Sequence, residues 1–280
     1  LTLLAVGGGV CAAQSGFAGL AEPPFPYAPT PVPLEDAVLT VDGTGLMYRD
    51  GIARPLAPGF DSNPLEAYDL LLVDRGTVQI AVPASQRLHL GAGSCVVLRI
   101  DGRYLFTGDF SWTGADGLTV RTPFGTLTLF GQGSGRLDAE SMALEVRSGR
   151  AAVARGDQVV AIVARGRSIV LPRSAAGSGQ DFAGGTEELR TLRRRVEDQE
   201  NGFYSTYRIA VRRYLDGSGF DPALVAQLWS EVSGFLPWYG YVRWRRLPWF
   251  GAPDFTTAHV AEALWLLKAY DAGRTIDTVE

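Results

Sequence analysis

The chain has 280 residues, 46% of them hydrophobic, and a net charge of −4. That length and apolar content suffice for one large domain or two ordinary ones, each with a sizeable core. The slight acidic balance excludes the Lys/Arg surplus needed to neutralise a phosphate backbone, so no nucleic-acid partner is expected.

Residues 1–21 open with Leu1-Thr2-Leu3-Leu4-Ala5-Val6 and continue through small residues to Ser15-Gly16-Phe17-Ala18. An apolar run followed by small-x-small positions reads as a signal-peptide-like segment, and it is shorter than the ~18 residues of a membrane span. Export is therefore expected, to the periplasm or another part of a bacterial envelope. Cys11 follows Val10, where a lipoprotein signal calls for a small residue, so the case for lipid attachment is weak. Residues 22–36 are proline-rich and read as an extended linker, or as a loop on which Phe25 and Tyr27 dock against the next domain.

From 37 to 172, short apolar runs alternate with glycine-centred breaks, as in an all-β sandwich, barrel or solenoid. Asp50-Gly51 and Asp101-Gly102 each predict a hairpin, because Asp-Gly accepts the positive φ angles of a type I′ turn. Thr126-Leu127-Thr128-Leu129 and Leu144-Glu145-Val146-Arg147 alternate with period two and predict strands with one face in a core. Val159-Val160-Ala161-Ile162-Val163 does not alternate and predicts a strand buried on both faces. Cys95, in an apolar run, is expected to be a small core residue.

An ordered series of weak motifs runs through this region. Val41-Asp42-Gly43, Tyr48-Arg49-Asp50-Gly51, Leu56-Ala57-Pro58-Gly59 and Leu88-His89-Leu90-Gly91-Ala92-Gly93-Ser94 come first. Gly108-Asp109-Phe110, Val120-Arg121-Thr122-Pro123-Phe124-Gly125, Leu129-Phe130-Gly131 and Val146-Arg147-Ser148-Gly149 follow. In this order they resemble a FecR-like domain over about half the chain. The resemblance implies stacked short strands, as a β-sandwich or a β-helix-like module, and a role in binding or signalling at the cell envelope. The sequence departs from the family at Gly131-Gln132-Gly133-Ser134-Gly135, where the glycines predict a bent or broken strand. Family members that regulate sigma factors carry a cytosolic helical region and a membrane span ahead of the module. Here only the short apolar segment precedes it, so this chain is expected to act beyond the membrane without touching a sigma factor itself.

After a small-residue link at 173–185, residues 186–280 read as a helical, aromatic-rich region of about three helices. Leu189, Leu192 and Val196 form a narrow stripe beside an arginine run that reads as a solvated face. Asp221-Pro222 starts a second helix, with Leu224, Val225, Leu228, Trp229 and Val232 on its apolar face. A third is predicted from Thr257 to Ala272, ended by Gly273. Leu236-Pro237-Trp238-Tyr239-Gly240 is repeated as Leu247-Pro248-Trp249-Phe250-Gly251. Trp238, Tyr239, Tyr241, Trp244, Trp249 and Phe250 are candidate ligand-binding residues. Core packing, a glycan or peptide surface and peripheral membrane contact are all open to them.

No catalytic constellation is recognisable. Two histidines, His89 and His259, are too few for an imidazole-rich metal site, and no cofactor is expected. Gly131-Gln132-Gly133-Ser134-Gly135 lacks the helix and lysine of a phosphate loop, and Ser134 lies between strands rather than on a strand-to-helix elbow. Asp109, Asp116 and Glu231 could supply a carboxylate pair. The expected function is an exported binding or scaffolding module for an envelope protein or cell-wall polysaccharide. A periplasmic component of a FecR-type signalling system and a polysaccharide-active enzyme are the alternatives.

Overall fold

Ten strands precede three helices, the order expected from the sequence: β1 (Val38–Arg49), β2 (Ile52–Leu56), β3 (Leu70–Ala81), β4 (Arg87–Leu90), β5 (Cys95–Arg99), β6 (Gly102–Thr122), β7 (Gly125–Leu137), β8 (Ser141–Arg155), β9 (Gln158–Ala164), β10 (Arg167–Pro172), then α1 (Thr186–Leu215), α2 (Pro222–Arg245) and α3 (Pro253–Asp277). This computed structural model describes residues 33–34, 37–60, 64–81, 85–172, 186–218, 221–245 and 253–277. The leader at 1–21, nearly all of the proline-rich segment at 22–36, the link at 173–185 and the repeat around Trp249 and Phe250 lie outside the described residues.

All strand pairings are antiparallel, in the order β10-β8-β7-β6-β4-β3-β1-β2, with β5 pairing β3 and β6, and β9 pairing β8. The long strands bend where glycines face one another, at Gly43 opposite Gly76 and Gly131 opposite Gly149. A Cβ on Gly43 would lie 2.2 Å from the Arg75 carbonyl, so only glycine fits that crossing. Residues on both sides of each bend enter one core: Leu39 and Met47 of β1, Val78 and Leu71 of β3, Leu144 and Val153 of β8. The sheet thus folds over on itself.

The Asp50-Gly51 hairpin forms as expected, with φ of 52° and 76° at its two corner residues. The second hairpin also forms, but Arg99 pairs with Gly102, so its corner is Ile100-Asp101 and Gly102 begins β6. Thr126 to Leu129 and Leu144 to Arg147 alternate as read from the sequence.

Two expectations fail and a third, the bent or broken strand at Gly131 to Gly135, holds for the bend but not for a break. β7 runs unbroken from Gly125 to Leu137, with a bulge at Gln132/Gly133, because Gly133 and Gly135 accommodate the rings of Trp112 and Phe110 from β6. A Cβ on Gly133 would lie 2.3 Å from the Trp112 ring, and one on Gly135 would lie 2.4 Å from the Phe110 ring. These glycines make room for aromatics and do not mark a break. The Val159 to Val163 run is not buried on both faces: it is an edge strand, with Val159 54% and Ile162 68% exposed. Periodicity alone did not distinguish a strand covered on both faces from one left bare at an edge. Finally, α3 begins at Pro253 and continues through Gly273 to Asp277, since a glycine is tolerated inside a helix at modest cost.

The double burial falls instead on Leu70-Leu71-Leu72-Val73 and Cys95-Val96-Val97-Leu98. One face of these strands enters the sheet core; the other, with Leu70, Leu72, Cys95, Val97 and Phe106, meets the helices. α1 contributes Phe203, Tyr207 and Ala210, α2 contributes Leu228, Val232 and Phe235, and α3 contributes Val260, Leu264 and Leu267. Asp221 caps α2, its Oδ1 accepting from the Leu224 amide at 2.7 Å, with Pro222 in the first turn as expected. α2 continues past Pro237, which together with Leu236 and Trp238 is buried. No helix among the described residues is long and apolar enough to cross a membrane.

Candidate functional site

Strand alternation sets the geometry of the sheet's outer surface. Where Leu39, Ile80, Leu88, Phe110, Leu144 and Ile169 turn toward the core, their neighbours turn outward. Register aligns those outward neighbours. Thr40 pairs Gln79, Gln79 pairs His89, His89 pairs Ser111, Ser111 pairs Ser134, Ser134 pairs Glu145, and Glu145 pairs Ser168. The result is one row of hydroxyl, amide, imidazole and carboxylate groups across seven strands, each member exposed or half-buried. Neighbouring members are about 4.8 Å apart, the strand spacing. None of them belongs to the cluster that meets the helices.

At the β10 end the row borders a depression of about 420 Å³. Its lining includes Asp109, Ser134, Arg136, Glu145 and Ser168. Asp109 lies 3.7 Å from the Arg136 guanidinium, and both are exposed. Partial burial, and then the nearby Arg87 charge, push His89 below its ordinary pKa, so it stands in the row as a neutral imidazole at pH 7. Hydroxyl, amide and imidazole members of the row can each donate and accept, and the Glu145 carboxylate accepts.

A second group of polar residues is buried where α3 meets the sheet. Arg49 donates to both oxygens of Asp69, at 2.8 and 2.6 Å, and lies 3.0 Å from Glu66. Lys268, buried on α3, reaches Asp50 at 2.7 Å and Glu66 at 2.5 Å. Burial raises the Asp69 pKa, and the Arg49 hydrogen bond works against that rise. Tyr68 donates to Asp271 of α3, and burial followed by this bond raises its phenol above the ordinary range. Beside it, Arg99 lies over the rings of Trp229 at 4.4 Å, Tyr68 at 5.3 Å and Tyr104 at 5.6 Å, which ties α2 to the sheet.

Of the aromatic candidates, Trp238 alone has a described side chain. Trp238, on α2, is buried; the side chains of Tyr239, Tyr241 and Trp244, and all of Trp249 and Phe250, lie outside the described residues. His259 packs against Tyr204 and Tyr207, with Nδ1 3.1 Å from the Tyr204 hydroxyl. Ser134 is a mid-strand member of the polar row, and His89 lies two strands away, about 10 Å, beyond reach of its proton. Asp109 and Asp116 are seven residues apart on β6, about 20 Å along a strand, and Glu231 sits on α2 against Gly202. Sequence reading considered His89 and Ser134 one at a time. The signal that would have joined them is the set of outward positions in successive alternating strands, which needs the register.

No family model matches this chain, and no curated protein matches it. Among solved structures it is similar to a candidate anti-sigma factor from Parabacteroides distasonis, at 20% identity and a TM-score of 0.32. That similarity covers 39% of this chain and 57% of the other, so this chain spans little more than half the length of its structural neighbour.

Proposed function

We propose that this chain is an exported, non-catalytic FecR-like module that binds a polar polymer of the bacterial envelope, a peptidoglycan glycan strand, across its open sheet face. The observation that carries the reading is the row from Thr40 to Ser168. A hydroxyl-rich chain laid across the strands meets a donor or acceptor at every strand, and exposed groups already solvated in the free protein exchange water for sugar at small cost. A folded protein partner would engage the same groups.

The test is co-sedimentation with insoluble peptidoglycan. The wild-type chain pellets with the polymer. Ser134→Arg, which raises a long side chain over the middle of the row, abolishes pelleting, while Arg54→Ala on the far edge strand does not. Pelleting unaffected by Ser134→Arg overturns the reading.

A second reading, a periplasmic relay of the FecR signalling type, is supported by the buried charges between sheet and α3. A relay needs a discrete contact that can be broken, and Lys268 with Asp50 and Glu66 is one. In that case binding at the sheet face changes hydrogen exchange along α3.

A further inference from the structure

The two ends of the sheet are finished differently. At one end β2 is five residues long and carries Arg54 and Pro55, devices that discourage another strand from adding on. At the other end β9 is Gln158-Val159-Val160-Ala161-Ile162-Val163-Ala164, seven residues without a charge or proline, bulged at Val160 against β8, its one partner among the described strands. Val159, Val160 and Ile162 are 54%, 40% and 68% exposed. Such an edge presents a row of unpaired backbone groups that only another extended backbone can satisfy.

The sequence of β9 also specifies which backbone. Ala161 is its centre, and the chain is arranged symmetrically about that residue. Val160 and Ile162 flank it, Val159 and Val163 come next, then the unlike pair Gln158 and Ala164, then Asp157 and Arg165 in the bounding turns, and finally Gly156 and Gly166, both with positive φ in those turns. An antiparallel pair of identical strands centred on Ala161 sets Val160 opposite Ile162 and Val159 opposite Val163. It also sets Asp157 of each copy opposite Arg165 of the other. Asp157 and Arg165 are exposed, and neither is paired with another side chain among the described residues. Opposite charges and β-branched pairs facing across strands both favour this register. Slipping it by two residues one way sets Asp157 opposite Val163; slipping it the other way sets Asp157 opposite Arg167 but leaves Arg165 facing Val159, so each slip strands one of the two charges.

We infer that β9 is a self-association strand: two copies of the chain join antiparallel about Ala161, extending both sheets into one, with two reciprocal Asp157 to Arg165 ion pairs. The interface is isologous and closes on itself, so it yields a dimer and not a fibre. β10, which carries Ser168 at the end of the polar row, takes no part, so the proposed polymer-binding face stays open.

Sedimentation equilibrium of the full chain over a range of concentrations tests this. The wild-type chain is a concentration-dependent dimer. Ile162→Lys, which places a charge on the shared strand, leaves a monomer. Asp157→Arg and Arg165→Asp each weaken the dimer by roughly 10-fold, since each turns two attractions into two repulsions. Combining both reversals restores the dimer to within about 3-fold of wild type. All three positions are exposed, and far-UV circular dichroism of each variant reports an unchanged fold. A wild-type chain that stays monomeric overturns the inference, as does a dimer indifferent to these substitutions or a double reversal no stronger than the singles.

Discussion

The ammonium of Lys268, on the last helix, lies 2.5 Å from the carboxylate of Glu66 in the β module, 202 residues earlier in the chain. Lys268 is only 2% exposed, and its other ligand is Asp50 in the first hairpin turn. The contact fastens the helices to the sheet by a group that cannot be lost from one side without stranding charge on the other.

Replacing Lys268 by Met removes the cation and leaves Glu66 buried beside Arg49 alone. The expected loss is about 3–5 kcal/mol of unfolding free energy, the usual cost of orphaning one member of a buried pair. Adding Glu66→Leu costs less than the sum of the two single changes, because the stranded charge goes with it. Urea unfolding of the two single variants and the double variant measures both numbers.

Gly133 and Gly135 leave no space for a Cβ beneath Trp112 and Phe110. Gly133→Ala is therefore expected to destabilise the β module by about 1–3 kcal/mol through overpacking. Trp112→Leu in the same chain recovers part of that loss by vacating the contact. Thermal unfolding of the single and double variants checks the coupling.

Arg99 links Tyr68, Tyr104 and Trp229 through its guanidinium plane. Arg99→Ala is expected to cost about 1–2 kcal/mol, and Arg99→Lys to recover only part of it, since an ammonium cannot stack on three rings at once. Near-UV circular dichroism, which reports the packing of Trp229, changes in the same order.

His259 gives a pH dependence. Burial lowers its pKa, against an opposing pull from Glu262 of α3, while Tyr204 and Tyr207 of α1 face it. The unfolded chain takes up the proton first as pH falls. The stability this imidazole contributes is complete above the ordinary value of 6.5 and is lost as pH falls through the lowered folded value. Asp69, with a raised pKa, works in the opposite sense as pH falls. The diagnostic is therefore a difference: between about pH 7.5 and pH 5.5 the melting temperature of the wild-type chain falls further than that of His259→Gln.

The fold was legible wherever local chemistry decides structure. Asp50-Gly51 specified its turn through positive φ, Asp221-Pro222 specified the start of α2, and the two-period of Thr126 to Leu129 specified which side chains enter the core. Long-range packing escaped. The glycines of β7 read as a bend or a break, and only the bend formed, because nothing in the sequence says that Trp112 and Phe110 lie across from them. The burial assigned to Val159 through Val163 belongs to Leu70 through Val73, because helices cover one run and not the other. The polar row was hidden for the same reason. Its seven members come from seven strands, and only the register makes them neighbours.

The most direct measurement for the proposed function is hydrogen exchange of the full chain with and without soluble peptidoglycan fragments. The account predicts slower exchange in β4, the central part of β6 around Ser111, and the part of β7 around Ser134, with β2 unchanged. Saturating fragments that slow no amide in those strands, or that protect only the helices, would contradict it.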